Sequence, residues 1–185
     1  MTVVISADGR RRASRSSVQS VSAESLPPLQ ERASEAATGD PIIGLLGVKA
    51  LAIDLDAVLG DTRPLFEAWL EEASRRYGIE PERYTELGNW ERLLERFAED
   101  RAPVFLRPRA DANAALRRLK QSGARLAAFT RAPDPLARIA VAHLGAARLL
   151  DAVEGGEGAR ERVLRELGSE AVVVGSPGEL REAAA

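Results

Sequence analysis

Two aspartates one residue apart, Asp54 and Asp56, close an apolar run that starts at Ala50, and Asp61-Thr62 follows a short turn later. Buried-type residues directly before Asp54 predict a central strand of a parallel sheet, apolar on both faces. Open sheets of that kind bind ligands at the carboxyl ends of their strands. Two carboxylates held close together at such an end repel each other unless something positive sits between them. A divalent metal, a phosphoryl group, or both would account for the placement.

The segment Ala50-Leu51-Ala52-Ile53-Asp54-Leu55-Asp56-Ala57-Val58-Leu59-Gly60-Asp61-Thr62 resembles the first motif of the haloacid-dehalogenase-like (HAD) hydrolases. That motif runs from a hydrophobic strand into Asp-x-Asp and often on to Asp-Ser/Thr. The resemblance implies that Asp54 is a nucleophile forming an aspartyl-phosphate, and that Asp56 is a general acid/base. It implies a phosphatase acting on a small phosphorylated metabolite with Mg²⁺ as cofactor. Asp54, the Asp56 backbone carbonyl and a later acid would hold the metal. Ala57 stands where the family usually has Gly, which restricts the turn.

The second motif, a Ser or Thr at a strand tip, is matched by Leu126-Ala127-Ala128-Phe129-Thr130. Thr130 would bond a phosphoryl oxygen, or cap the following helix, or both. Arg131 follows where the family often has Asn and could hold a phosphate. The third motif calls for Lys. The stretch Gly155-Gly156-Glu157-Gly158-Ala159-Arg160 has none, and Arg160 is the nearby cation, catalytic or simply a helix-surface charge. At the fourth motif, Val172-Val173-Val174-Gly175 is followed by Ser176-Pro177-Gly178-Glu179, with no Asp after Gly175. Glu179 takes the place of the second acid and completes the implied metal set of Asp54, Asp56 and Glu179. Losing one carboxylate weakens a hard-cation site. A second reading follows, a catalytically inactive HAD-like protein kept for binding or regulation. A dehalogenase would need no metal, but the second Asp is the family's phosphotransfer signature.

The 185 residues suit one α/β domain, with a three-layer Rossmann-like parallel sheet, a small helical cap insertion and a disordered N-terminal tail. The formal charge of −2 argues against a nucleic-acid partner. The absence of Cys removes thiolate sites, and a lone histidine removes a multi-His metal centre. His143 reads as a side chain at a helix C-terminus. The Gly155–Gly158 run lacks the Gly-Lys-Ser/Thr ending of a phosphate loop and reads as a turn. No apolar run reaches membrane-spanning length, so a cytoplasmic protein with no membrane contact is expected.

Residues 1–40, rich in Ser, Arg, Glu and Ala, read as the disordered tail, or as a docking peptide for a protein partner through the basic stretch Arg10 to Arg15. Residues 41–185 form the expected domain. Helices are predicted over Pro64 to Tyr77 and Trp90 to about Glu99, with Val104-Phe105-Leu106 a connection between Pro103 and Pro108. These helices make the cap at about 62–105, packed through Trp69, Tyr77, Tyr84 and Trp90, or else one face of the core. Strands over 48–54, 125–130, 149–153 and 171–175 alternate with helices over 111–121, 133–144, 157–167 and 178–185, the pattern of right-handed βαβ units.

Overall fold

The computed structural model describes residues 49–185. The expected tail, its docking peptide and residues 41–48 lie outside the described residues. Four strands, β1 (Ala50–Asp54), β2 (Arg125–Phe129), β3 (Ala152–Glu154) and β4 (Val172–Val174), form one sheet in the order β3-β2-β1-β4. All pairings are parallel. Six helices accompany them: α1 (Arg63–Tyr77), α2 (Trp90–Phe105), α3 (Ala110–Gln121), α4 (Asp134–His143), α5 (Ala159–Leu167) and α6 (Pro177–Ala183). The expected α/β architecture is therefore present among the described residues.

The period of two along β1 divides the core. Leu51 and Ile53 face a large cluster built with α1 to α4 and α6, whereas Ala50 and Ala52 face a small one built with Ala159, Val163 and Leu167 of α5. The chain winds from β1 through β2 to β3 in one direction and then jumps back past β1 to β4. Right-handed crossovers put the helices of the first leg on one face and α5, on the return leg, on the other. The reversal opens a crevice beyond the carboxyl ends of the strands. Small residues on the α5 face (Ala50, Ala52 and Ala127, all buried) let that helix come close.

The helical stretch after β1 departs from expectation in two ways. α2 does not stop near Glu99 but runs to Phe105, through Pro103. The proline lies in the last turn with its ring exposed, where only one backbone bond is forfeited, and Ala102 and Leu106 are buried beside it. The aromatic cluster consists of Phe66, Trp69, Tyr84 and Trp90, with ring centroids 5.1–5.7 Å apart. Tyr77 stays outside it, 41% exposed under Arg76. Leu65, Trp69, Leu94, Ala98 and Ala102 belong to the same buried cluster as Leu51 and Ile53, so these helices are packed into the main core. Of residues 62–105, Arg63 is the one whose side lines the cleft described below.

Two anchors fix the β2–β3 edge. Asp151 Oδ2 accepts from Leu126 N at 2.9 Å, while its other oxygen pairs with Lys120. Burial would raise the Asp151 pKa, but the Lys120 ammonium and the Leu126 N–H outweigh it and hold the group below its ordinary 3.8. A lowered folded value means that this contribution is complete above 3.8 and is lost as pH falls through the folded value. Urea unfolding of Asp151→Asn should therefore show a shallower stability loss below that pH than the parent chain. The second anchor is Gly155, buried, where a Cβ would lie 2.6 Å from both Ala132 O and Asp134 N. Gly155→Ala should cost about 1–3 kcal/mol in the same measurement, because backbone must move to admit one methyl.

Candidate active site

Asp54 ends β1 and immediately caps a five-residue π-helical turn, Leu55–Leu59. Turns of this rare type cluster at functional sites. Asp54 Oδ1 accepts from Ala57 N at 3.1 Å, and Gly60 N closes the turn on Leu55 O at 3.0 Å. Ala57 lies inside that helical turn, a conformation open to any L-residue, so glycine is not required there. Leu55, Val58 and Leu59 are buried and pin the turn from below. Only one oxygen of Asp54, Oδ2, is left without a protein donor.

Asp56 sits at the centre of a hydrogen-bond network. Its Oδ1 accepts from Thr62 N at 2.9 Å and from Thr62 Oγ1 at 2.6 Å, and its Oδ2 accepts from Thr130 Oγ1 at 2.6 Å. Thr62 and Thr130 are the buried polar side chains of the described core, 0% and 2% exposed. Thr130 Oγ1 also accepts from Ala132 N at 3.0 Å. Its own backbone N–H holds it in line with β3, donating to Glu154 O at 3.1 Å. Thr130 does not cap α4; Pro133 holds that position. A hydroxyl has a single hydrogen. The hydrogens of both threonines are directed to the Asp56 carboxyl oxygens, which leaves the 3.4 Å contact between the two hydroxyls as simple proximity.

Asp54, Asp56, Ala57, Phe129 and Thr130 line one side of a cleft of about 840 Å³. The other side is the loop after β3 and the first turn of α5: Gly156, Glu157, Gly158, Ala159, Arg160 and Glu161. Arg63 and Arg131 also border it. The glycine run, read from sequence as a turn, is thus part of the wall. Gly156 and Gly158 take left-handed φ values of 81° and 70°, where a side chain is strained. Gly156 N donates to Ala132 O at 2.7 Å. Arg162 ties the loop down, its guanidinium reaching Glu154 Oε2, Glu157 O and Gly155 O at 2.6–2.7 Å.

The structure brings Asp54, Asp56, Thr130, Arg131 and Arg160 of the sequence candidates to one cleft. Glu179 is placed differently. Its Oε2 accepts from Gly175 N at 2.7 Å, while Ser176 Oγ accepts from Glu179 N at 3.2 Å, a reciprocal cap of α6. It does not line the cleft. His143 is also elsewhere, with Nε2 3.2 Å from Leu106 O. Sequence reading gave no site role to Thr62 or Arg63, and of the wall Gly156–Glu161 it singled out Arg160 alone. The first had a signal, since a Thr six residues after Asp56 can fold back on it across a single turn.

Mg²⁺ prefers octahedral oxygen ligation. Against that demand, Asp54 offers one free side-chain oxygen, and Glu179, the later acid, is a helix cap that does not line the cleft. Among the described residues no three His, Cys, Asp or Glu side chains gather as a metal-holding group. As arranged, the side chains do not fit a protein-held Mg²⁺ centre.

No family model matches the chain, and no curated protein matches it. Among solved structures, a candidate beta-phosphoglucomutase from Thermotoga maritima is similar at 19% identity, with a TM-score of 0.46, covering 74% of this chain and 81% of that one. No helix among the described residues is long and apolar enough to cross a membrane.

Replacing Thr62 by Val would keep the volume but remove one donor from a half-buried carboxylate. Thr62→Val should lower the unfolding free energy by about 1–3 kcal/mol. Thr62→Ser should recover most of it, since the hydroxyl is kept, and a pair of denaturant titrations tests both.

Proposed function

We propose that the chain is a phosphoryl-transfer hydrolase of the HAD-like type, releasing phosphate from a small phosphorylated metabolite by way of an aspartyl-phosphate on Asp54. The observation that carries the reading is the free Oδ2 of a strand-end carboxylate facing a cleft, beside a second carboxylate that two buried hydroxyls hold in place.

In the first step Asp54 Oδ2 attacks phosphorus, the phosphorus–oxygen bond to the leaving group breaks, and the leaving oxygen takes a proton from Asp56. In the second, water attacks the aspartyl-phosphate and gives its proton back to Asp56, and the bond from phosphorus to Asp54 breaks. The hydrogen-bond arithmetic couples Thr130 to these states. When Asp56 carries the proton on Oδ2, it can donate to Thr130 Oγ1, which frees the threonine hydrogen for a phosphoryl oxygen. When Asp56 is ionised, that hydrogen returns to the carboxylate, the arrangement described above. Thr130 would thus release its grip on phosphate as the leaving group is protonated.

A second reading is favoured by the engagement of both Asp56 oxygens and by the lack of a Lys in the cleft. In it, the cleft binds a phosphorylated ligand without turnover, for regulation, with residues 1–40 as a contact for a protein partner.

Incubation with an aryl phosphate separates the two. Turnover with a trapped phosphoryl adduct on Asp54, seen by mass spectrometry of the acid-quenched protein, supports hydrolysis. Asp54→Asn should reduce phosphate release by at least about a thousandfold with the fold intact by circular dichroism. Unchanged release in that variant would remove the nucleophile, and with it the proposal.

A further inference from the structure

We infer that the outer edge of β4 pairs antiparallel with the same edge of a second copy of this chain, joining the two sheets across a two-fold axis. Among the described residues β4 bonds to β1 on one side and has no strand on the other. No backbone group from Val172 to Val174 bonds outside the sheet among those residues. The neighbouring helices sit inward. α5 packs on β1, β2 and β3, and α6 reaches from β4 toward α3 and the π-helical turn.

The side chains on this strand are also left uncovered. Val172 is opposite Leu51 and Val174 opposite Ile53, so both point to the α6 side of the sheet. Val174 is 1% exposed there, whereas Val172 is 41% exposed. An open edge is ordinarily blunted by Lys, Pro, a bulge or a covering element, because a bare row of N–H and C=O groups is a template for another strand. The stretch Ala171-Val172-Val173-Val174-Gly175-Ser176 carries no charge and no proline, and its three valines favour the extended backbone.

Charge and symmetry select a second copy as the occupant. A two-fold axis at Val172 sets this residue against its own counterpart, Val173 against Ala171 and Val174 against Glu170. The two exposed valines then bury each other, a favourable cross-strand pair. Glu170, the exposed acid at the start of the strand, meets a valine instead of another acid. Parallel pairing in register would stack Glu170 on its counterpart, like charge on like. The edge is therefore self-complementary in the antiparallel sense, as an isologous contact requires. Strand direction reverses across the axis, so the clefts beyond the carboxyl ends open in opposite directions and neither copy covers the other's. A ribbon this short buries less than the roughly 1,200 Å² of a standard interface, so the dimer is reversible and its population follows concentration.

Light scattering on the whole chain after gel filtration, loaded at about 5 to 500 µM, tests the inference through mass action. The mass should rise from one chain toward two across that range. Val172→Lys should hold it at one chain with an unchanged circular dichroism spectrum, because the position is an exposed edge. The chain has no cysteine, so Val172→Cys supplies its single thiol, and diamide should convert that variant to a disulfide dimer. Val104→Cys, at a valine 66% exposed near the end of α2, should cross-link at least about tenfold more slowly, since no axis brings its thiols within disulfide reach. A dimer that persists in Val172→Lys, or equal cross-linking at positions 104 and 172, overturns the inference. A parent chain that stays monomeric at the highest load also overturns it and leaves the edge to a strand of a different protein.

Discussion

The carboxylate of Asp56 is tied to two chain segments that are otherwise separate. Thr62 belongs to the entry of α1 and Thr130 to the end of β2, and both hydroxyls donate to the one group at 2.6 Å. Both threonines are buried, so neither hydroxyl can turn to water instead. A buried polar group without a partner costs more than a hydrogen bond gains. The three residues therefore stand or fall together. Through them the turn after β1, the start of the helical stretch and the second strand are set in register, and the orientation of Asp54 above the cleft follows from that register.

The remaining wall depends on size more than on polarity. β1 and β2 present alanines at 50, 52 and 127 toward α5, and the strands are therefore approached closely by Ala159 and Val163. Larger residues there would push α5 away and widen the cleft from below. Gly155 works in the same direction one loop earlier, with no space for a Cβ between Ala132 and Asp134. Arg162 then closes the loop from outside by bonding three acceptors at once. The scarcity of aromatics, 4% of the chain, is compatible with this, since Phe66, Trp69, Tyr84 and Trp90 are spent in one cluster between α1 and α2. Within the sheet, the α5 side is mostly alanine beside Phe129, and the opposite side carries Leu51, Ile53 and Leu126.

These features were unequally legible from the order of residues. The strand–helix alternation was readable because parallel strands buried on both faces are short apolar runs, and because glycines stop the helices; Gly78, for example, takes φ 66° just past Tyr77. Asp54, Asp56 and Thr130 were readable because each is polar at the end of such a run. The extension of α2 through Pro103 was not, since a proline in the last turn costs little, and only burial of Ala102 and Leu106 decides it. The exclusion of Tyr77 from the aromatic cluster depends on helix phase at a terminus. Glu179 could be counted as a ligand from its spacing to Gly175, yet the same spacing makes it a cap of α6. The glycine run looked like a turn because a backbone wall has no side-chain signature.

What the cleft can bind is then a question of which charges are already satisfied. Asp61 takes Arg63, Glu154 takes Arg162, and Asp151 takes Lys120, each an acid with its cation beside it. Removing those pairs from consideration leaves Asp54 with one open oxygen, and leaves Arg131 and Arg160 together with Asp56, Glu157 and Glu161 on the lining of the same cleft. A group that is electrophilic at its centre and anionic at its rim meets both demands at once, since its centre lies toward the carboxylate and its oxygens toward the guanidiniums. A phosphoryl group has that distribution of charge. A neutral ester or a carboxylate lacks one half of it, and this asymmetry, rather than cleft size, is the physical basis of the proposed phosphoryl chemistry.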